Sequence, residues 1–204
     1  MERLLRLRKV AITGCLSCGK TEVCRFLKGL GAYVLSTDEI VHQILSFDAV
    51  IAKKVVDLLG NDVIINGKIS HSRVARKVFN SSKNLRNLEK ILHPVVQEKI
   101  ENEYQIISKE KGILLFVVEI PLLFEIGAEK YFDQTVAVIA NDEICQQRFK
   151  KKTQLDINEY KKRMARQLPS EIKAQKANFV IANNKSLNEL KIQVKTIKDK
   201  LCKE

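Results

Sequence analysis

The 204-residue chain has no tryptophan, only 3 prolines and 8 glycines, and 6% aromatic residues. So little Pro and Gly argues against a disordered chain and against an all-β protein built on tight turns. Long apolar runs are missing too. The longest, residues 113–118, falls far short of the roughly 20 residues that span a bilayer. Residues 1–14, MERLLRLRKVAITG, carry basic residues but no uninterrupted apolar stretch, so they are expected to lead into a first strand rather than form a secretory signal. Without that signal, an odd count of 5 cysteines (Cys15, Cys18, Cys24, Cys145 and Cys202) predicts a reducing, cytoplasmic setting. Acidic residues are in the minority, 24 against 36 Lys and Arg, for a formal net charge of +12. Such an excess attracts polyanions, whether nucleic acid, nucleotides or phosphorylated coenzymes. The basic residues are scattered rather than gathered in one block, which weakens the nucleic-acid reading.

A hydrophobic content of 45% is enough for a core. Residues 10–13, 33–36, 113–119, 135–140 and 179–182 are short runs rich in β-branched residues and leucine, mostly without polar alternation. Separated by helical stretches, they predict an α/β fold with a parallel sheet covered on both faces. Helices are expected over residues 20–30, 48–59, 94–109, 142–152 and 186–201. Pro94 would sit in a first turn, Asp142 at an N-cap, and Ser186 with Glu189 in a capping box. The long interval between the second and third strands reads as several helices and one hairpin, residues 63–69, around Asn66-Gly67. It is expected to form a second structural lobe.

The sequence Gly14-Cys15-Leu16-Ser17-Cys18-Gly19-Lys20-Thr21 fits G-x-x-x-x-G-K-[ST], the Walker A phosphate loop. An apolar strand leads in and a helix begins at Lys20, the context this loop requires. Gly14 and Gly19 allow the backbone angles that turn N–H groups inward, and the helix N-terminus faces the anion. Lys20 is expected to reach the β- and γ-phosphates and Thr21 to ligate Mg²⁺; Glu22, the next residue, is counted with the ATP-binding loop. Cys15-x-x-Cys18 overlaps the loop and also suits a thioredoxin-like redox site. That reading makes Gly14, Gly19, Lys20 and Thr21 coincidental. No second Cys or His pair follows at zinc-ligand spacing.

Phosphoryl transfer needs a further carboxylate. Asp38 lies just past the second strand, at the sheet edge where ligands gather; its structural alternative is an N-cap. Glu119 ends the third strand and is a candidate to hold a metal-bound water or Lys20. Arg148, Lys152, Arg163 and Arg166 are candidate cations for the γ-phosphate. Arg148 and Lys152, four apart, share a helix face, and their segment reads as a lid. His93, ahead of Pro94, is expected to be extended and is a candidate phosphate contact.

Taken in order, these motifs resemble the dephospho-coenzyme A kinase family over nearly the whole chain. Ile12-Thr13-Gly14 through Thr21 is similar to the family's LTGGIGSGKS, and Asp38 falls on the second aspartate of its D-x-D. Leu92-His93-Pro94 matches L-H-P, and Pro121-Leu122-Leu123-Phe124-Glu125 matches P-L-L-F-E. The stretch around Arg148 and Lys152 resembles the lid motif, Arg163 and Gln167 match R-x-x-x-Q, and Ala177 to Asn184 resembles A-D-x-x-I-x-N-N.

The resemblance implies a P-loop kinase fold: a five-stranded parallel sheet flanked by helices, with a helical substrate lobe and a helical lid. The core would be residues 8–38, 111–141 and 177–204, the lobe about 39–110 and the lid about 142–166. It implies transfer of the ATP γ-phosphoryl group, with Mg²⁺, to the ribose 3′-hydroxyl of dephospho-CoA. Asp38 would be the base, with Lys20 and Arg148 also catalytic and Lys152 and Arg163 as lid cations. Asn183 would lie near the adenine. Asp38, His71, His93, Leu122 and Glu119 would contact the acceptor, and Thr21, with Asp38, would hold the metal. A monomer or small homo-oligomer with no nucleic-acid or membrane partner is expected. The chain departs from the pattern at several positions. Ser36 replaces the first aspartate of D-x-D, and Cys15, Ser17 and Cys18 replace Gly, Gly and Ser. Lys152 and His71 each replace an arginine, and Asn178 replaces an aspartate. Another P-loop nucleoside or nucleotide kinase, and a basic nucleic-acid-binding module that uses NTP as a switch, are the alternatives.

Overall fold

The computed structural model describes residues 6–203; the expectation for residues 1–5 lies outside them. In chain order, β1 (Arg8–Gly14) leads into α1 (Lys20–Gly29) and β2 (Tyr33–Ser36). Then come α2 (Thr37–Phe47), α3 (Ala49–Leu59), the hairpin β3 (Ile64–Ile65) and β4 (Lys68–Ile69), α4 (His71–Phe79) and α5 (Ser82–Ile107). The remainder is β5 (Leu115–Glu119), β6 (Gln134–Ile139), α6 (Asp142–Thr153), α7 (Ile157–Met164), α8 (Ser170–Lys176), β7 (Phe179–Ala182) and α9 (Leu187–Lys203).

The five strands of the parallel sheet run in the order β2-β5-β1-β6-β7. β1 is central and pairs in parallel with β5 and β6, in a register that sets Ile12 beside Glu119 and Gly14 beside Val138. Val10, Ile12, Val117, Val118, Val136 and Val138 are wholly buried. Both faces of these strands are covered, so their sequences do not alternate. On one face, Val23, Cys24 and Leu27 of α1 pack with Leu190, Val194, Ile197 and Leu201 of α9, which follow helical spacing. Helix α8 packs against β1 and β6.

The chain forms two compact units, one built from residues up to Val34 and from Ile107 on, the other Leu35–Ile106. In the second, Ile40 and Ile44 of α2, and Ile51, Val55 and Leu59 of α3, recur every fourth residue and are buried. The hairpin turns on Asn66 (φ 49°) and Gly67 (φ 76°). Two consecutive positive φ angles are what a two-residue type I′ turn requires.

Three local expectations are corrected. Pro94 does not start a helix but lies inside α5, so His93 is helical, not extended. The proline removes one N–H, but it and Lys90, whose carbonyl loses that donor, are both exposed, and water can serve the carbonyl. Asp142 is not an N-cap. Asn141 holds that position without a side-chain bond, while Asp142 accepts from the Tyr160 hydroxyl at 2.6 Å. Asp38 is not an N-cap either, because the Ser36 hydroxyl accepts from Glu39 N–H at 3.5 Å. The capping box at α9 is present, with Ser186 N–H donating to Glu189 Oε2 at 3.0 Å and Glu189 N–H to Ser186 Oγ at 3.3 Å.

Candidate active site

The site begins where β1 runs out of sheet. Gly14 has φ 144°, and a Cβ there would lie 2.0 Å from the Val138 carbonyl oxygen of β6. Gly19 has φ 101° and occupies the N-cap of α1 with no side-chain bond to the helix. A Cβ on Gly19 would lie 2.2 Å from Asn183 Nδ2. Both glycines are therefore demanded by close approach as well as by backbone angle. Between them Ser17, where the resemblance has glycine, sits at φ 58°. A left-handed non-glycine residue is strained by about 1–2 kcal/mol. Gly14→Ala is expected to destabilise the protein by about 1–3 kcal/mol, because the clash is with backbone that cannot step aside. Urea unfolding checks this beside Gly29→Ala, whose Cβ would meet nothing within 4 Å and which should be neutral or slightly stabilising.

Two side chains brace this loop. Asn183, buried at the end of β7, donates from Nδ2 to the Cys18 carbonyl at 2.8 Å. Arg148 of α6 reaches the same carbonyl from Nη1 at 3.4 Å and the Asn183 carbonyl from Nη2 at 3.2 Å. The structure thus brings the expected cation Arg148 and the expected residue Asn183 together on the loop. The Asn183 side chain is spent on the loop backbone, a role that a motif at the end of a strand does not reveal.

Lys20 is nearly buried, and its ammonium donates to the carbonyls of Gly14 at 3.1 Å and Cys15 at 2.8 Å. The Thr21 hydroxyl donates to Glu119 Oε1 at 3.2 Å. A hydroxyl and a carboxylate oxygen side by side beneath a phosphate loop are hard ligands of the kind Mg²⁺ takes, in company with phosphate and water oxygens. Glu22 is turned toward Arg25, whose Nε donates to Oε2 at 3.0 Å, and this partner holds its carboxyl below the usual range. Leu16 is half-buried in the loop, and Leu122 is half-buried in the turn after β5, its carbonyl accepting from Ile126 N–H at 3.2 Å.

The loop cysteines are free, and both are buried. Burial, the larger cause, pushes the thiols of Cys15 and Cys18 above their ordinary value, against the opposing charge of Lys20. Cys145, facing them from α6, is pushed up to about 12 by burial first and then by Cys18 and Cys15. Redox-active thiols are lowered instead. The C-x-x-C pair packs as small apolar side chains, contrary to the redox reading.

The remaining expected residues fall in two places. Lys152 is exposed in the last turn of α6. Arg163 of α7 lies over the Phe149 ring, 5.5 Å from its centroid. In the unit Leu35–Ile106, Asp38 is exposed in the first turn of α2 and His93 is exposed on α5. His71, at the start of α4, stacks on His42 with centroids 4.0 Å apart, and its Nε2 lies 3.3 Å from Ser46 Oγ. Burial first, and then His42, lower its pKa, so at neutral pH it does not supply the charge an arginine would. Sequence reasoning missed Lys173 altogether. This fully buried lysine pairs with Glu125 at 2.9 Å, and no local pattern separates it from the many exposed lysines around it.

The family model described as dephospho-CoA kinase matches residues 8–189. A dephospho-CoA kinase of Protochlamydia amoebophila is 47% identical over 199 residues, covering 97% of this chain and 98% of the relative. A crystal structure from Thermus thermophilus is similar at TM-score 0.82 and 28% identity, covering 96% of this chain and 98% of that one. The dephospho-CoA kinase of Campylobacter jejuni is similar at TM-score 0.71 and 27% identity, covering 96% and 97%.

Proposed function

The chain belongs to the dephospho-CoA kinase family, and from that premise we propose how its own residues divide the work. The reaction is transfer of the ATP γ-phosphoryl group to the ribose 3′-hydroxyl of dephospho-CoA, giving coenzyme A and ADP. The observation that carries the division of roles is the loop itself, with two glycines at positive φ, an uncapped helix behind them and Lys20 folded over the carbonyls. Its N–H groups and the N-terminus of α1 hold the phosphates. Lys20 exchanges its two carbonyl acceptors for β- and γ-oxygens. Arg148 balances charge on the transferred group while keeping the loop tied to Asn183, beside which the adenine lies. Lys152 and Arg163 are additional cations of a lid formed by residues 142–166.

Asp38 takes the proton of the 3′-hydroxyl. Its support is its position, two residues past the end of a parallel strand, with no capping duty to perform. The unit Leu35–Ile106 receives dephospho-CoA, with His71 and His93 among its contacts, and Leu122 and Glu119 are assigned to the same substrate. Uncharged His71 contributes hydrogen bonding in place of a cation. Mg²⁺ would be held by Thr21, with Glu119 and Asp38 as outer carboxylates. When bound, the ion would supply positive charge against that of the phosphates. Among the described residues no cluster of three or more His, Cys, Asp or Glu could hold a metal. No helix among them is long and apolar enough to cross a membrane, and five free cysteines suit a reducing cytoplasm.

Coupled ADP release tests the reading with a panel of acceptors. Phosphorylation of dephospho-CoA is expected, with nucleosides and nucleoside monophosphates left untouched. Turnover of a nucleoside monophosphate in preference to dephospho-CoA would refute the acceptor assignment.

A further inference from the structure

Among the described residues Lys173 is the only charged side chain with no exposed surface. Its ammonium donates to the Pro121 carbonyl at 2.8 Å and pairs with Glu125 Oε1 at 2.9 Å. The Pro121 carbonyl also accepts from the Thr13 hydroxyl at 3.3 Å. Glu125 Oε1 also accepts from Leu168 N–H at 2.8 Å. One cluster therefore joins four places: the last residue of β1 before Gly14, the turn that follows Glu119, the segment after α7, and α8.

This cluster is poorly explained by stability. A buried ion pair seldom outperforms apolar side chains of the same volume, because both charges have left water. Here the pairing is also incomplete. Glu125 Oε2 and Gln167 Oε1 are buried with no donor among the described residues, although buried polar atoms are ordinarily satisfied. What the cluster does supply is position and charge. Thr13 and Glu119 stand at the ends of adjacent strands; Thr13 leads directly into Gly14, and Glu119 is itself the partner of Thr21. The ammonium is also near enough to favour the charged form of the Cys15 and Cys18 thiols, so its field reaches the phosphate loop.

We propose that Lys173 and Glu125 are positioning residues for phosphoryl transfer. Lys173 fixes the Pro121 carbonyl, and through it the spacing between the β1 end that launches the phosphate loop and the β5 end that carries Glu119. Glu125 fastens the segment after α7 to the same point. The inference rests on the kinase activity above.

The experiment compares the full-length protein with Lys173→Met, the double variant Lys173→Met/Glu125→Leu, and Thr13→Val, measuring Tm, kcat and both KM values. Lys173→Met leaves Glu125 buried and unpaired, and lowers Tm by roughly 10 °C. The double variant removes both charges and regains a Tm near that of the wild type, yet kcat stays about tenfold or more below it while KM for dephospho-CoA is unchanged. Thr13→Val, similar in shape, takes the other donor from the same carbonyl and lowers kcat several-fold with Tm held. Recovery of kcat together with Tm in the double variant overturns the proposal. If that variant does not fold, wild-type kcat in Thr13→Val overturns it. A wild-type protein inactive on dephospho-CoA would sink the kinase reading instead, and the parallel assay separates the two failures.

Discussion

Replacing Asp38 with asparagine is expected to lower kcat by two or more decades, within the 10²–10⁴ range of a positioned general base, with little change in KM. Asparagine keeps the size and the carbonyl oxygen but cannot take a proton. The structure removes the usual ambiguity of such a result. Asp38 is exposed in the first turn of α2, and the cap of that helix is Ser36, whose hydroxyl accepts from Glu39 N–H. Glu39 stays in the first turn to favour the helix dipole. Folding should therefore be almost untouched, and thermal melts of the two proteins should overlay. Steady-state kinetics with coupled ADP release supply the other half of the test. Near-normal turnover with an unchanged melt would remove Asp38 from the role of base and shift attention to Glu119. Ser36 stands where the family pattern has a first aspartate, so no second carboxylate is available at that position to mask the loss.

The parts of this protein written in short local patterns were legible in its sequence. Residues 33–36 and 179–182 are strands as read, and the phosphate loop stands between strand and helix as its spacing demands. Patterns whose meaning depends on distant partners were not legible. Pro94 reads as a helix start because proline lacks an N–H, yet on a solvent-facing turn that loss is tolerated and α5 runs through it. Asn178 reads as a lost carboxylate. In the fold its Oδ1 accepts from both the N–H and the hydroxyl of Thr135, at 2.8 and 2.9 Å, and so serves as an acceptor without charge. The spacing of Cys15 and Cys18 also admits a redox pair as the lesser alternative to the phosphate loop, and burial shows the two to be packing. Lys173 is the extreme case. Its partners Pro121 and Glu125 belong to a different stretch of chain, and nothing in SEIKAQK marks one lysine as buried.

Lys20→Met should cut kcat/KM for ATP by roughly 10³, the upper range for losing one preorganised donor to developing charge. This ammonium is nearly buried and is held by the neutral carbonyls of Gly14 and Cys15. Burying a charge against backbone carbonyls is unfavourable, and a triphosphate offers it stronger partners. Methionine has a similar length and no charge, so the ligand-free variant should melt at or above the wild-type temperature. The difference should appear on adding ATP. At a concentration 100 times its Kd, ATP stabilises the wild type by about 2.7 kcal/mol, or about 5–10 °C for a chain of this size. Because Lys20 also contacts the phosphates of bound ATP, the variant's Kd is expected to rise well above the ATP concentration used, so the ATP-induced shift should largely vanish while the basal melt is preserved. This pairing separates a phosphate ligand from a structural lysine, whose removal would lower the basal melt and leave the ATP shift intact. An unchanged ATP-induced shift in Lys20→Met would show that the loop binds its nucleotide through backbone N–H groups alone, and Arg148 would then be the cation on which transfer depends.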